Sequence, residues 1–120
     1  MNTHLVIING CSYVDCLPGE PLLASETEAL DLVAACGEHC THRLMLHEDN
    51  LTEDFYNLRS GVAGAVLLKF ANYFIRVAAV LPLERVNQGR FAEMVLETNR
   101  GNQFRVFQSR QLAEAWIIRE

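Results

Sequence analysis

The sequence predicts a single α/β domain with a mostly parallel sheet. Short apolar runs alternate with longer segments of helical periodicity, in the order β-β-α-β-α-β-α-β-α. This alternation predicts parallel strands because each helix returns the chain to the start of the next strand. The first two runs flank Asn9-Gly10, a pair typical of a tight hairpin turn, and predict an antiparallel edge. The 120 residues suffice for one hydrophobic core, so residues 1–120 are expected to form one α/β sandwich.

The first elements are delimited by turn and capping residues. THLVIING (3–10) predicts the first strand and SYVDCL (12–17) its returning partner, which Pro18-Gly19 and Pro21 end. Ser25 and Glu28 form a capping box, in which Ser25 is expected to accept from the amide three residues on. The first helix is therefore expected from about Glu26 to His39, followed by a buried strand, HRLMLH (42–47).

A long second helix is predicted to begin after Thr52, its N-cap. Apolar residues follow at three- and four-residue intervals: Phe55, Leu58, Val62, Val66, Phe70 and Tyr73. Gly61 and Gly64 lie inside this segment, where glycine is costly, and predict that another backbone comes close or that a ligand needs the room. On the first interpretation, Gly64→Leu is expected to destabilise the protein by a few kcal/mol through overpacking.

The rest of the chain continues the alternation. FIRVAAVL (74–81) predicts a strand, 88–99 a helix closed by Gly101, 103–107 a last strand, and 111–118 a final helix that starts at Ser109. The complete order is similar to that of the STAS and SpoIIAA-like architecture. That resemblance implies a small regulatory domain, which acts by binding other proteins or by carrying phosphate.

Composition excludes several function classes. The net charge of −5 disfavours a nucleic-acid partner, since such proteins need a basic face. No apolar run approaches the roughly 20 residues that cross a bilayer, and the N-terminus lacks the parts of a secretory signal, so we expect a cytoplasmic protein with no membrane partner. An unknown protein or small molecule is the expected partner. A homodimer is left open, and no cofactor is expected.

The segment CGEHCTH (36–42) has the composition of a metal site but not the spacing. Structural zinc sites usually draw pairs of ligands from two separated turns, and the remaining cysteines, Cys11 and Cys16, are four positions apart in the predicted hairpin. Cys36 and Cys40 are therefore interpreted as small apolar residues at a helix end, and no metal is expected. No cationic residue or helix N-terminus adjoins Cys11 or Cys16, so neither is predicted to be a catalytic nucleophile.

Two blocks, residues 47–73 and 97–107, resemble an uncharacterised, mainly bacterial family catalogued as domain of unknown function 4180. The resemblance covers about residues 28–118 and the N-terminal hairpin least. Two departures weaken an acid–base mechanism: Ala65 stands where the family often has glutamate, and Leu81-Pro82 replaces a Gly-Asp pair. The matching positions are Glu53, Asp54, Phe55, Leu58, Gly61, Ala63, Gly64, Lys69, Phe70, Asn72, Tyr73, Glu97, Asn99 and Gly101.

The expected ligand site lies beyond the carboxyl ends of the parallel strands, where ligands of open α/β sheets bind. The predicted ligand-binding residues in those loops are His47, Asp49, Asn50, Thr52, Arg85 and Arg90. Thr52 is interpreted first as an N-cap and second as a phosphorylation site, because the surrounding carboxylates would repel a phosphate. A solvated polar rim would account for the same residues.

Two functions remain. The preferred one is a non-enzymatic binding or regulatory module that acts through this loop edge. The alternative is a small hydrolase or transferase, in which His47 is the general base and Asp49 orients it.

Overall fold

The computed structural model describes residues 3–17 and 22–119, and it contains one five-stranded mixed sheet. Strand order follows the sequence, β1-β2-β3-β4-β5, with β1 antiparallel to β2 and all later neighbours parallel. The predicted hairpin and parallel sheet are thus confirmed, while the Pro18-Gly19 and Pro21 turn lies outside the described residues. The strands are β1 Thr3–Ile8, β2 Cys11–Cys16, β3 Arg43–His47, β4 Arg76–Val80 and β5 Phe104–Phe107.

Six α-helices connect or follow the strands within the described ranges. Ser25, Thr52 and Ser109 are N-caps whose hydroxyl groups accept backbone N–H groups. Ser25 accepts from Thr27 rather than from the expected third amide. In this part of the chain, no helix is long and apolar enough to cross a bilayer. The helices are α1 Glu26–Glu38, α2 Glu53–Tyr56, α3 Val62–Asn72, α4 Leu83–Val86, α5 Gly89–Thr98 and α6 Arg110–Ile117.

The prediction of one long helix after Thr52 is wrong. The helix stops at Tyr56, a 3₁₀ turn spans Leu58–Ser60, and a new helix starts after Gly61. Gly61 has φ +80°, a left-handed conformation that is costly for residues with a Cβ atom. The apolar periodicity hid this break because Phe55, Val66 and Phe70 still reach the same core.

The proposed close approach at Gly64 is also wrong. Gly64 is exposed on α3, and a Cβ atom added there would have no heavy atom of the described residues within 4 Å. The residues that do face the core from α3 are Ala63, Val66 and Phe70. The premise for overpacking by Gly64→Leu is therefore absent.

The sheet separates two hydrophobic cores because side chains alternate between its faces. One face packs against α1, α3 and α5. The other packs against α6, through Tyr13, Met45 and Ala78 on the strands and Ala113, Trp116 and Ile117 on the helix. The two faces thus put neighbouring residues of β2 in different surroundings: Val14 and Cys16 in the first core, Tyr13 and Asp15 beneath α6.

Candidate functional site

A buried carboxylate, Asp15, is the centre of a polar cluster near the carboxyl ends of β2 and β3. Its side chain is 5% exposed, and its Oδ1 accepts from His47 Nε2 at 2.8 Å. Its Oδ2 accepts from Arg110 Nη2 at 2.8 Å, and His4 Nε2 lies 3.5 Å from the same oxygen. The burial of Asp15 is thus compensated by the Arg110 guanidinium and the His47 imidazole, as a buried carboxylate requires.

The cluster extends along the underside of α6. Arg110 Nη2 also donates to Tyr13 Oη at 3.1 Å, and Tyr13 donates its hydroxyl proton to Glu114 at 2.6 Å. Because Arg110 and Glu114 are one helical turn apart, these contacts fix the first turns of α6 over β2. The cluster therefore connects the N-terminal hairpin to the last helix.

The pKa values of Asp15 and Tyr13 depart from their ordinary range. Burial favours the neutral acid of Asp15, but hydrogen bonds from His47 and Arg110 outweigh it and lower the pKa. Burial, with the hydrogen bond to Glu114, raises the pKa of Tyr13 to about 12. At neutral pH the cluster therefore contains a carboxylate at Asp15 and a phenol at Tyr13.

His47 is held from both sides. Besides its contact with Asp15, its side chain accepts from the backbone N–H of Asn50 in a reciprocal capping box, while Asn50 Oδ1 accepts from the backbone N–H of His47 at 2.8 Å. Because Nε2 faces Asp15, Nδ1 is left as the acceptor, and the neutral tautomer carries its proton on Nε2. In this arrangement His47 has no free nitrogen with which to take a proton from a substrate.

The carboxylate partner predicted for His47 was wrong. Asp49 was expected to orient the ring, but Asp15 does so, from a strand 32 positions earlier. Asp49 is exposed in the 3₁₀ turn Glu48–Asn50. The sequence contained a usable signal, since the two-residue Asn9-Gly10 turn sets a register that pairs Asp15 with His4 across the hairpin. Asp15 lies on the same face as Tyr13 in an otherwise apolar strand, so its carboxylate is expected to be buried. A buried carboxylate needs a hydrogen-bond donor, and His47 on the neighbouring strand is one.

Asn50 and Thr52 serve the loop itself. Asn50 is fully buried, and its side-chain Nδ2 donates to Leu17 O at 2.9 Å. Its backbone carbonyl accepts from Leu23 N at 2.8 Å. Thr52 Oγ1 donates to Leu23 O and accepts from Phe55 N, both at 3.3 Å. These contacts bind the loop after β3 to the segment that precedes α1, so both side chains have structural partners.

Arg85 and Arg90 lie toward the other side of the same edge. Arg85 makes a two-pronged ion pair with Glu53, also contacts Glu48 at 3.4 Å, and stacks 4.3 Å from the Tyr56 ring. These contacts raise the pKa of Arg85, the bond to Glu53 most. Tyr56 also lines an open cavity of about 260 Å³ together with Arg59 and Arg90. Of the predicted residues, only His47 thus joins the Asp15 cluster, whereas Asn50 and Thr52 serve the loop, Asp49 is exposed, and Arg85 and Arg90 lie on this arginine-rich side.

The cysteines differ in their burial. Cys16 and Cys36 are buried, and burial raises both pKa values, that of Cys36 to about 12. Cys40 is exposed, so the two cysteines of CGEHCTH lie in different surroundings. Within residues 3–17 and 22–119, no group of three or more histidine, cysteine, aspartate or glutamate side chains is arranged to hold a metal ion.

Several residues of the two blocks that carry the resemblance have clear structural roles. Phe55, Ala63 and Phe70 are core residues, and Gly61 permits the turn into α3. Asn99 bonds the outer edge of β5: its Oδ1 accepts from Val106 N at 2.8 Å and its Nδ2 donates to Val106 O at 3.4 Å. These positions therefore serve the fold, and they leave the chemistry of the family open.

Comparison with protein families identifies one match, which spans residues 8–117. It includes all of β2, so the similarity extends further toward the N-terminus than the two blocks indicated. Comparison with curated proteins and with solved structures yields no match. Since the match covers nearly the whole chain, including Asp15, His47 and Arg110, the chain belongs to the family described as Domain of unknown function (DUF4180).

Proposed function

We propose that this protein is a small binding or regulatory module of STAS/SpoIIAA-like architecture. Its contact surface is the edge formed by the loops at the carboxyl ends of the parallel strands. Support comes from the topology, since sequential parallel strands bring the segments that follow β3, β4 and β5, with Asp49, Arg85 and Arg110, to one edge. Exposed charges of both signs there suit a polar protein partner or a small polar ligand.

The observation that carries the proposal is the engagement of His47. Its side chain is hydrogen-bonded to both Asp15 and the backbone of Asn50, and is only 18% exposed. A general base needs a nitrogen within reach of a substrate proton. A recognition surface instead needs a loop of defined shape. The contacts of His47 with Asp15 and Asn50 hold the loop after β3 in one conformation.

One contact favours a second candidate, a small hydrolase or transferase. The pairing of a buried carboxylate with an imidazole at 2.8 Å is the geometry by which enzymes orient a histidine base. Catalysis would require His47 to release the Asn50 amide when substrate binds. The resulting base would be Nδ1, with Asp15 as its positioning residue.

Charge reversal separates the two functions. Asp49→Lys with Arg90→Glu changes two exposed side chains at the proposed edge and leaves the net charge unchanged. Glu38→Lys with Arg100→Glu is the matched control, because both residues are exposed and follow or end helices at the opposite edge of the sheet. We expect affinity capture from the native host to recover a protein or ligand with the wild type and the control, and to lose it with the first pair.

If both double variants still captured the partner, or if both lost it, the proposed contact edge would be refuted. An assay panel of activated esters and phosphoesters tests the alternative. A turnover that His47→Gln abolishes but the charge-reversed edge preserves would establish an enzyme.

A further inference from the structure

Four arginines gather at the amino-terminal edge of the sheet, opposite the edge described above. Arg43 and Arg76 begin β3 and β4 and are direct neighbours in the parallel register, while Arg105 lies on β5. By strand alternation all three are on the α6 face, where Met45, Ala78 and Phe107 also lie. Arg119 follows the end of α6. The cluster, called here the arginine edge, contains four of the ten lysines and arginines of an acidic chain.

Trp116 and backbone carbonyls hold two of these guanidinium groups in place. The Trp116 ring lies 4.5 Å from the Arg76 guanidinium carbon and 5.3 Å from that of Arg105. Arg76 donates to the carbonyls of Arg119 at 2.7 Å and Asn102 at 3.2 Å. Arg105 donates to the carbonyl of Gly101 at 2.7 Å. Their charges are thus positioned by neutral groups, which leave the charge uncompensated.

No carboxylate neutralises the arginine edge in the described part of the chain. The ion pairs of the described residues lie elsewhere, and the arginines in them are Arg85, Arg100 and Arg110. Arg43 Nε is buried and has no hydrogen-bond partner among residues 3–17 and 22–119. Burial and the three neighbouring arginines lower the pKa of Arg76. Like charges on directly opposed strand positions are destabilising, so this arrangement has an electrostatic cost that an anion would remove.

The arginine edge also has room for a ligand. A cavity of about 280 Å³ is lined by Thr41, His42, Arg43, Arg76 and Arg119, among others. A second cavity, of about 360 Å³, adjoins it and is lined by Arg76, Asn102, Trp116 and Arg119. Neither has an aspartate or glutamate among its described lining residues. Guanidinium groups that converge on an open cavity match the oxygens of a phosphate, which brings up to two charges and several acceptors.

We propose that the arginine edge is an anion site that binds the phosphate group of a small solute. This site is separate from the strand-end surface of the proposed function, and the two can fail independently. A phosphate is favoured over a single carboxylate because its greater charge compensates more of the three arginines that line the two cavities, Arg43, Arg76 and Arg119.

The test uses the single tryptophan as its reporter. The wild-type chain is titrated with inorganic phosphate at constant ionic strength balanced with chloride, and Trp116 fluorescence is recorded. Because Trp116 contacts Arg76 and Arg105, we expect a saturable change on binding. Arg43→Gln and Arg119→Gln should each raise the dissociation constant about tenfold, since each removes a charge-assisted contact. Both avoid Arg76, whose side chain holds the end of α6.

Arg59→Gln is the matched control, because Arg59 is exposed near the opposite edge and should leave the dissociation constant unchanged. If the fluorescence change came from a general salt effect on the fold, it would persist unchanged in Arg43→Gln and Arg119→Gln. That result would overturn the proposal. Absence of a saturable change in the wild type would do so as well. Glu120 lies outside the described residues, and its side chain carries a carboxylate. If phosphate binding appeared only after Glu120 is deleted, the carboxylate of Glu120 itself would occupy the arginine edge, and the proposal of an external ligand would be refuted.

Discussion

At the scale of single residues, the main finding is the network around Asp15. A carboxylate that is almost completely buried is stable only when its oxygens are paired, and His47 and Arg110 pair both. Asp15, His47 and Arg110 come from a hairpin strand, a parallel strand and the last helix. The network therefore stabilises the fold as well as forming a candidate site. Its contribution can be measured as a change in the free energy of unfolding.

Asp15→Asn tests the network through its pH dependence. The pKa of Asp15 is lowered in the folded protein, so its stabilising effect is present above the unfolded carboxyl pKa of about 4 and is lost as the pH falls through the folded value. We expect the variant to lose about 1.5–3 kcal/mol of unfolding free energy near pH 7, and the difference to shrink toward about pH 3. Urea unfolding at both pH values measures it.

Asp31→Asn is the control, an exposed aspartate on α1 that should change stability by less than about 0.5 kcal/mol. An Asp15→Asn loss that is equal at every pH would mean that packing, and not the charge of Asp15, stabilises this region.

At the scale of elements, capping and alternation predicted most boundaries within a few residues. Ser25, Thr52 and Ser109 act as N-caps, and the hairpin register follows from Asn9-Gly10. The boundary prediction failed in the segment after Thr52, where apolar residues keep helical spacing although the helix is interrupted. Periodicity reports which residues face the core, and a helix interrupted by a short turn can keep that property.

A pair of glycine substitutions tests the corrected description of this segment. Gly64→Ala should raise the unfolding free energy by about 0.5–1 kcal/mol, because Gly64 is helical and exposed and an added Cβ atom would clash with none of the described residues. Gly61→Ala should lower it by about 1–2 kcal/mol, because φ +80° is unfavourable for alanine. Thermal or urea unfolding of both variants gives the signs. Equal effects of the two substitutions would show that the helix is continuous after all.

At the scale of the whole molecule, the two sheet faces are covered unequally. Among the described helices, α1, α3 and α5 pack on one face, whereas the other relies on α6. Trp116 is 4% exposed there and stacks 5.7 Å from Phe107. Among the described helices, a single short one therefore covers the smaller of the two hydrophobic cores.

Truncation of Trp116 measures how much the fold depends on α6. Trp116→Ala should lower the unfolding free energy by about 3–5 kcal/mol, the usual range for removal of a buried aromatic side chain. Leu112→Ala on the same helix is the control. Its side chain is 59% exposed, and we expect a change below about 0.5 kcal/mol. Similar losses from both would mean that helix propensity, and not burial of Trp116, sets the stability of α6.

The sequence by itself determined the α/β class, the mixed sheet, the caps and the loops that meet at one strand edge, because these depend on local patterns and on the handedness of short connections. Only the tertiary structure decided which charges meet. Asp15 finds Arg110 across 95 positions, and the arginine edge forms from three strands and the residue beyond α6. Such pairings depend on strand register and on where the last helix docks, and the spacing of residues along the chain specifies neither.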